Sequence, residues 1–106
     1  MATRQKTLVR PLVTMRHNDD DTGLYIDVDL AGANKDSLDI DMGPTGFCVK
    51  AEGEDTLYHG CVTLGHEIMP KEAKAKFDNG LLRIGVPFKE AIFHKVSLVG
   101  PDDPLF

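Results

Sequence analysis

Ala75-Lys76-Phe77-Asp78-Asn79-Gly80-Leu81-Leu82-Arg83-Ile84-Gly85-Val86-Pro87 is a pair of extended runs around a turn. Asp78-Asn79-Gly80 is a strong hairpin signal, because Asn and Gly accept the positive φ that tight two-residue turns require. Before the turn, Ala73, Ala75 and Phe77 alternate with Lys74 and Lys76. After it, Leu82, Ile84 and Val86 alternate with Leu81, Arg83 and Gly85. A period of two marks half-buried strands. Pro87 has no N–H to donate and ends the ladder.

The same alternation recurs upstream. Leu24, Ile26, Val28 and Leu30 fall on one face of a strand, with Tyr25, Asp27 and Asp29 on the other. Leu38, Ile40 and Met42 alternate with Asp39 and Asp41, and Phe47, Val49 and Ala51 with Cys48, Lys50 and Glu52. Pro11 to Met15 reads as a short edge strand. No stretch carries a sustained helical period.

Residue identities add to the pattern. Ala75, Asn79-Gly80-x-Leu82, Ile84, Val86 and Pro87 resemble the signature of the alpha-crystallin domain of small heat-shock proteins. Residues 28–40, Val-Asp-Leu-Ala-Gly-Ala-Asn-Lys-Asp-Ser-Leu-Asp-Ile, are similar to the family block Asp-Leu-Pro-Gly-Val-x-Lys-Glu-Asp-Leu, with Ala31 in place of its proline. Leu64 to Pro70 resembles Leu-Pro-x-x-Val-x-Pro, with Gly65 for the first proline and Ile68 for the valine. The resemblance spans residues 11–87. It implies an all-β, antiparallel, immunoglobulin-like β-sandwich of about seven to eight strands, a class that the alternation supports independently. The expected organisation is a mobile N-terminal arm at 1–10, the sandwich at 11–88 and a C-terminal extension at 89–106.

The hairpin from Phe47 to Leu64 has a readable register. With Gly53 to Thr56 as the turn, Glu52 opposes Leu57 and paired numbers sum to 109. Phe47 then faces Val62, Val49 faces Gly60 and Ala51 faces Tyr58, all on the apolar side. A one-residue slip would oppose apolar to polar positions. The same register sets Cys48 opposite Cys61 on the outer face. Directly opposed Cβ atoms lie about 4.5–5.5 Å apart, slightly wide of the usual disulfide span, so two free thiols are expected in a reducing cytosol, with a disulfide between them as the alternative.

Composition excludes several function classes. At 106 residues the chain is one domain. Its net charge of −5 argues against nucleic acid as a partner. With no long apolar run and no leader pattern, a soluble cytoplasmic protein without membrane association is expected. His17, His59, His66 and His94 lack metal-ligand spacing, Asp19-Asp20-Asp21 lacks the spaced ligands of a calcium loop, and Ser37 and Ser97 sit in no nucleophile motif. No enzyme activity, metal or cofactor is expected.

What remains is a binding surface. The resemblance implies a groove between two edge strands, here Leu38, Ile40 and Met42 against Ala73 and Ala75, that takes a C-terminal aliphatic motif or client segments. The competing reading is that Leu38, Ile40 and Met42 face the core. Val96-x-Leu98 is similar to the family's Ile-x-Ile motif; alternatively it is one more edge strand packed on its own domain. The expected function is an ATP-independent holdase for unfolded client proteins, possible as a homo-oligomer. The dimer mode is atypical: only four residues separate the strands after Glu52, a reach of about 14 Å at most, too short for a strand exchanged between subunits. Gly60, Cys61 and Thr63 also stand where the family is usually basic. The alternative is a CS-domain-like co-chaperone or adaptor that docks one folded partner.

Overall fold

A computed structural model describes residues 5–90 and 96–106 of the chain. Its eight strands are β1 (Thr7–Val9), β2 (Val13–His17), β3 (Gly23–Asp29), β4 (Asp39–Gly43), β5 (Gly46–Glu52), β6 (Thr56–Thr63), β7 (Lys74–Asp78) and β8 (Leu81–Pro87). Two single-turn 3-10 segments, Lys35–Ser37 and Pro70–Glu72, lead into β4 and β7. The strands form two four-stranded sheets, ordered β1-β6-β5-β4 and β2-β3-β8-β7.

The β7–β8 hairpin closes as read from sequence. Asp78 pairs with Leu81, and Asn79 and Gly80 have φ of +49° and +79°, the sign that a type I′ turn demands at both central positions. The β5–β6 hairpin has the expected turn and register: Gly53 N–H donates to the Thr56 carbonyl at 2.8 Å, and Phe47 opposes Val62, Val49 opposes Gly60, and Ala51 opposes Tyr58.

Alternation then builds the core. Leu24, Ile26 and Val28 of β3, Leu82, Ile84 and Val86 of β8, and Phe47, Val49 and Ala51 of β5 all point between the sheets and are buried. Leu30, Leu64, Ile68 and Phe88 close its ends. Each large aliphatic side chain sequestered there contributes about 1.5–3 kcal/mol. Two bridges outside the strands, Ala33 to Gly53 and Ile68 to Phe88, stitch the sheets' connecting loops to the sandwich.

Two expectations are corrected. The mobile arm at 1–10 does not extend through residues 7–9. Those residues form β1 and pair in parallel with β6, Thr7 with Thr56 through Val9 with Tyr58. The segment is tied down at several points: Thr7 N–H donates to the Asp55 carbonyl at 2.8 Å, Lys6 Nζ lies 2.9 Å from Glu52 Oε2, and Arg10 donates to the Cys61 carbonyl at 3.2 Å. Gly60 makes room for this crossing, since a Cβ there would stand 3.1 Å from the buried Pro11 ring. Among the described residues, the β1–β6 pair is the one parallel pairing in an otherwise antiparallel sandwich.

The second correction concerns the cysteines. Cys48 and Cys61 oppose one another as the register requires, but they are bonded, not free. Their Cα atoms are 4.0 Å apart, on the close side of a non-hydrogen-bonded pair, which typically spans about 4.5 Å. The non-hydrogen-bonded pair is the closer of the two kinds of opposed pair in an antiparallel ladder, and the average Cβ separation behind the expectation does not distinguish the two.

Candidate functional site

Among the described residues, β4 and β7 are each an edge strand of their sheet, and they lie side by side along one flank of the sandwich. The loop before β4 is held by Ser37. Its hydroxyl donates to the Asn34 carbonyl at 2.7 Å and accepts from the Glu52 N–H at 2.8 Å. This fixes the start of β4 against β5, so that Leu38 and Ile40 face the flank. On the other side, Pro70–Glu72 turns the chain into β7, presenting Ala75 and Phe77.

Between the two edges runs a groove of about 620 Å³. Leu38, Ile40, Ala75, Phe77 and Leu82 form its apolar wall and floor, and Lys35 and Lys76 border it. Of the sequence-expected groove residues, Leu38, Ile40 and Ala75 are brought together there. Met42 and Ala73 do not line it; both are half-buried and pack against the core. Phe77 and Leu82 line it although the sequence reading leaves them out. Their signal is present in the alternation around Asn79-Gly80, which places Phe77 opposite Leu82.

Leu38 and Ile40 also touch the core, so the two readings of these residues are not exclusive: an edge residue of a sandwich borders both. Chemically the groove offers apolar side chains at alternate residues, Leu38 and Ile40 facing Ala75 and Phe77, and two strand edges that pair with no further strand among the described residues, the requirements for capturing an extended segment. Val96 and Leu98 do not occupy it; they are 89% and 98% exposed. Residues 91–95, which include His94, lie outside the described residues.

The β5–β6 connection is the short turn that the sequence implies, and the far edge of β6 is covered by the chain's own β1. Strand pairing of β6 with a second subunit therefore requires β1 to leave.

Two histidines, far apart in sequence, meet at one end of the sandwich. His17 and His66 rings lie 5.3 and 5.7 Å from the Phe88 ring, edge to face. His17 Nδ1 is 3.4 Å from Asp21 Oδ1. Among the described residues, no group of three His, Cys, Asp or Glu side chains is placed to hold a metal ion.

No protein-family model matches the sequence, and no curated protein matches it. Solved structures do match the fold. Heat shock protein 16.0 from Schizosaccharomyces pombe superposes with a TM-score of 0.68 at 16% identity, covering 86% of this chain and 97% of that one. A mutant of hsp14.1 from Sulfolobus solfatataricus gives a TM-score of 0.66 at 24% identity, over 77% of this chain and 78% of that one. A small heat-shock protein from Xylella fastidiosa, described as having a distinct high order structure, gives 0.62 at 17% identity over 85% and 95%. At these identities the likeness establishes the fold, and that fold is the one of the small heat-shock proteins, which the Asn79-Gly80-x-Leu82 signature resembles.

Proposed function

We propose that this chain is an ATP-independent holdase chaperone that binds apolar segments of partly unfolded proteins in the cytoplasm and keeps them from associating. The observation that carries the reading is the β4–β7 groove: an apolar floor open between two strand edges that pair with no further strand among the described residues. Such a surface is an aggregation liability unless it is used. A client strand would add to an edge by backbone hydrogen bonds and drop alternate side chains onto Leu38, Ile40 and Phe77. The driving force is burial of client apolar surface, about 25 cal/mol per Å², and no step calls for a nucleotide. In this reading Val96 and Leu98 are a built-in competitor that occupies the groove of the same or a neighbouring chain until clients appear.

A reading as a CS-domain-like adaptor for a folded partner is favoured by one observation: the β5–β6 turn has no strand to exchange, and β1 covers the β6 edge. Light scattering of a heat-labile client enzyme, warmed with and without the protein, separates the two. A holdase suppresses scattering at near-stoichiometric ratios; an adaptor leaves it unchanged. Size measurement adds to this, since a large assembly supports the holdase and a monomer the adaptor.

A further inference from the structure

We infer that the outer face of the β2-β3-β8-β7 sheet is a docking surface for an extended acidic segment of a partner protein, a face that shares only Lys76 with the lining of the groove. The strand registers assemble it. Arg16, Tyr25, Gly85 and Lys74 stand in one row across the four strands, and Thr14, Asp27, Arg83 and Lys76 in the next. Their neighbours Leu24, Ile26, Ile84 and Val86 point into the core, so these two rows point out.

The face is concave, with a volume of about 620 Å³. The floor is bare at Gly85, where an added Cβ would meet only the Tyr25 ring, at 3.8 and 3.9 Å. Four cations line it against two carboxylates, Asp27 and Glu72, a surplus of two positive charges on a chain whose net charge is −5. Asp27 is already engaged by Arg83 at 3.3 Å. Among the described residues Arg16, Lys74 and Lys76 have no ion pair.

Charge complementarity selects the partner. Lys74 and Lys76 are two residues apart on one side of a strand, a spacing of about 6.8 Å. An extended peptide with acidic side chains at alternate positions presents carboxylates at the same spacing, and charge-assisted hydrogen bonds are the stronger kind. Nucleic acid fits less well. The face has one aromatic ring, Tyr25, and the Arg16 guanidinium lies 4.6 Å over it, leaving no platform on which bases could stack.

The test is fluorescence anisotropy at low ionic strength, with a labelled, end-capped peptide of alternating Asp and Ser as the probe. Saturable binding is expected, weakened about tenfold by Lys74→Glu and by raising salt from about 50 to about 300 mM. Gly85→Thr fills the floor without altering charge, in a position with room for it, and is expected to weaken binding about fivefold. Lys50→Glu, on the other sheet, and Val96→Gly with Leu98→Gly, which disable the groove's competitor, are expected to leave binding unchanged. The inference is overturned if the peptide binds no better than its Asn-Ser counterpart. It is equally overturned if Lys50→Glu weakens binding as much as Lys74→Glu, or if the tail variant abolishes it. Tighter binding of a single-stranded oligonucleotide would assign the face to nucleic acid instead. Self-association at low salt that Lys74→Glu abolishes would assign it to a second copy.

Discussion

Cys48 and Cys61 bridge β5 and β6 across the outer face of their sheet, closing a loop with a sequence separation of 13 around the Gly53–Thr56 turn. A crosslink over a loop of this size stabilises chiefly by restricting the unfolded chain, by about 2 to 3 kcal/mol. Cys48→Ser with Cys61→Ser, or wild type in excess reductant, is therefore expected to unfold at a lower urea midpoint, by about 1 to 2 M for a domain of this size. Thiol titration of the unfolded, unreduced protein should find none; two titratable thiols would show that the bond is absent. In the proposed cytoplasmic setting the bond is open to reduction, so the two urea midpoints bracket the working stability.

Gly80 occupies the left-handed region at φ +79°, and a Cβ there would lie 2.8 Å from Ala31 Cα. Gly80→Ala thus combines backbone strain with a clash against main chain. A loss of about 2 to 3 kcal/mol is expected. Gly65 has open space around it, and Gly65→Ala should stay within about 0.5 kcal/mol of wild type. Equal midpoints for the two variants in thermal or urea unfolding would mean that the hairpin turn tolerates a side chain.

Tyr58 reaches from β6 to the loop after β3, where its hydroxyl donates to the Ala31 carbonyl at 2.8 Å. Tyr58→Phe removes that donor and leaves the ring packing in place. The expected cost is about 1 kcal/mol, read from equilibrium unfolding. A neutral result would mean that water replaces the phenol at no cost.

Much of this architecture is legible in the amino-acid sequence. Asn79-Gly80 and the flanking alternation specify the β7–β8 hairpin, and matching apolar positions specify the β5–β6 register, down to Cys48 opposite Cys61. These are local relationships, decided by residues close in the chain. β1 is not legible, because Thr7–Val9 is only three residues long and pairs in parallel with Thr56–Tyr58, and nothing local to it announces a partner so far along the chain. The same holds for His17, His66 and Phe88, which three separate segments bring together. Within the groove, alternation identifies the apolar side of β4 and β7 but not how far each residue stands from the rim. Met42 and Ala73 therefore fall in the expected set although they pack on the core, and Phe77 and Leu82 fall outside it although they line the groove.

Val96 and Leu98 are aliphatic side chains left in water, on a chain whose groove is lined by apolar side chains at alternate positions. Both stand beyond the last described residue of the sandwich side, Glu90, so the test asks whether they dock on their own domain or on a neighbour's. Docking both side chains would recover roughly 3 to 4 kcal/mol before ordering costs. Replacing both with Gly is expected to shrink any assembly larger than a dimer in size-exclusion chromatography with light scattering, and to raise suppression of client aggregation as the groove is vacated. If the wild type is a monomer, the same variant should increase protection of client strands at Leu38 and Ile40 without changing size. An unchanged size distribution in an assembled wild type, together with unchanged client suppression, would remove Val96-x-Leu98 from the groove and leave it as a plain extension.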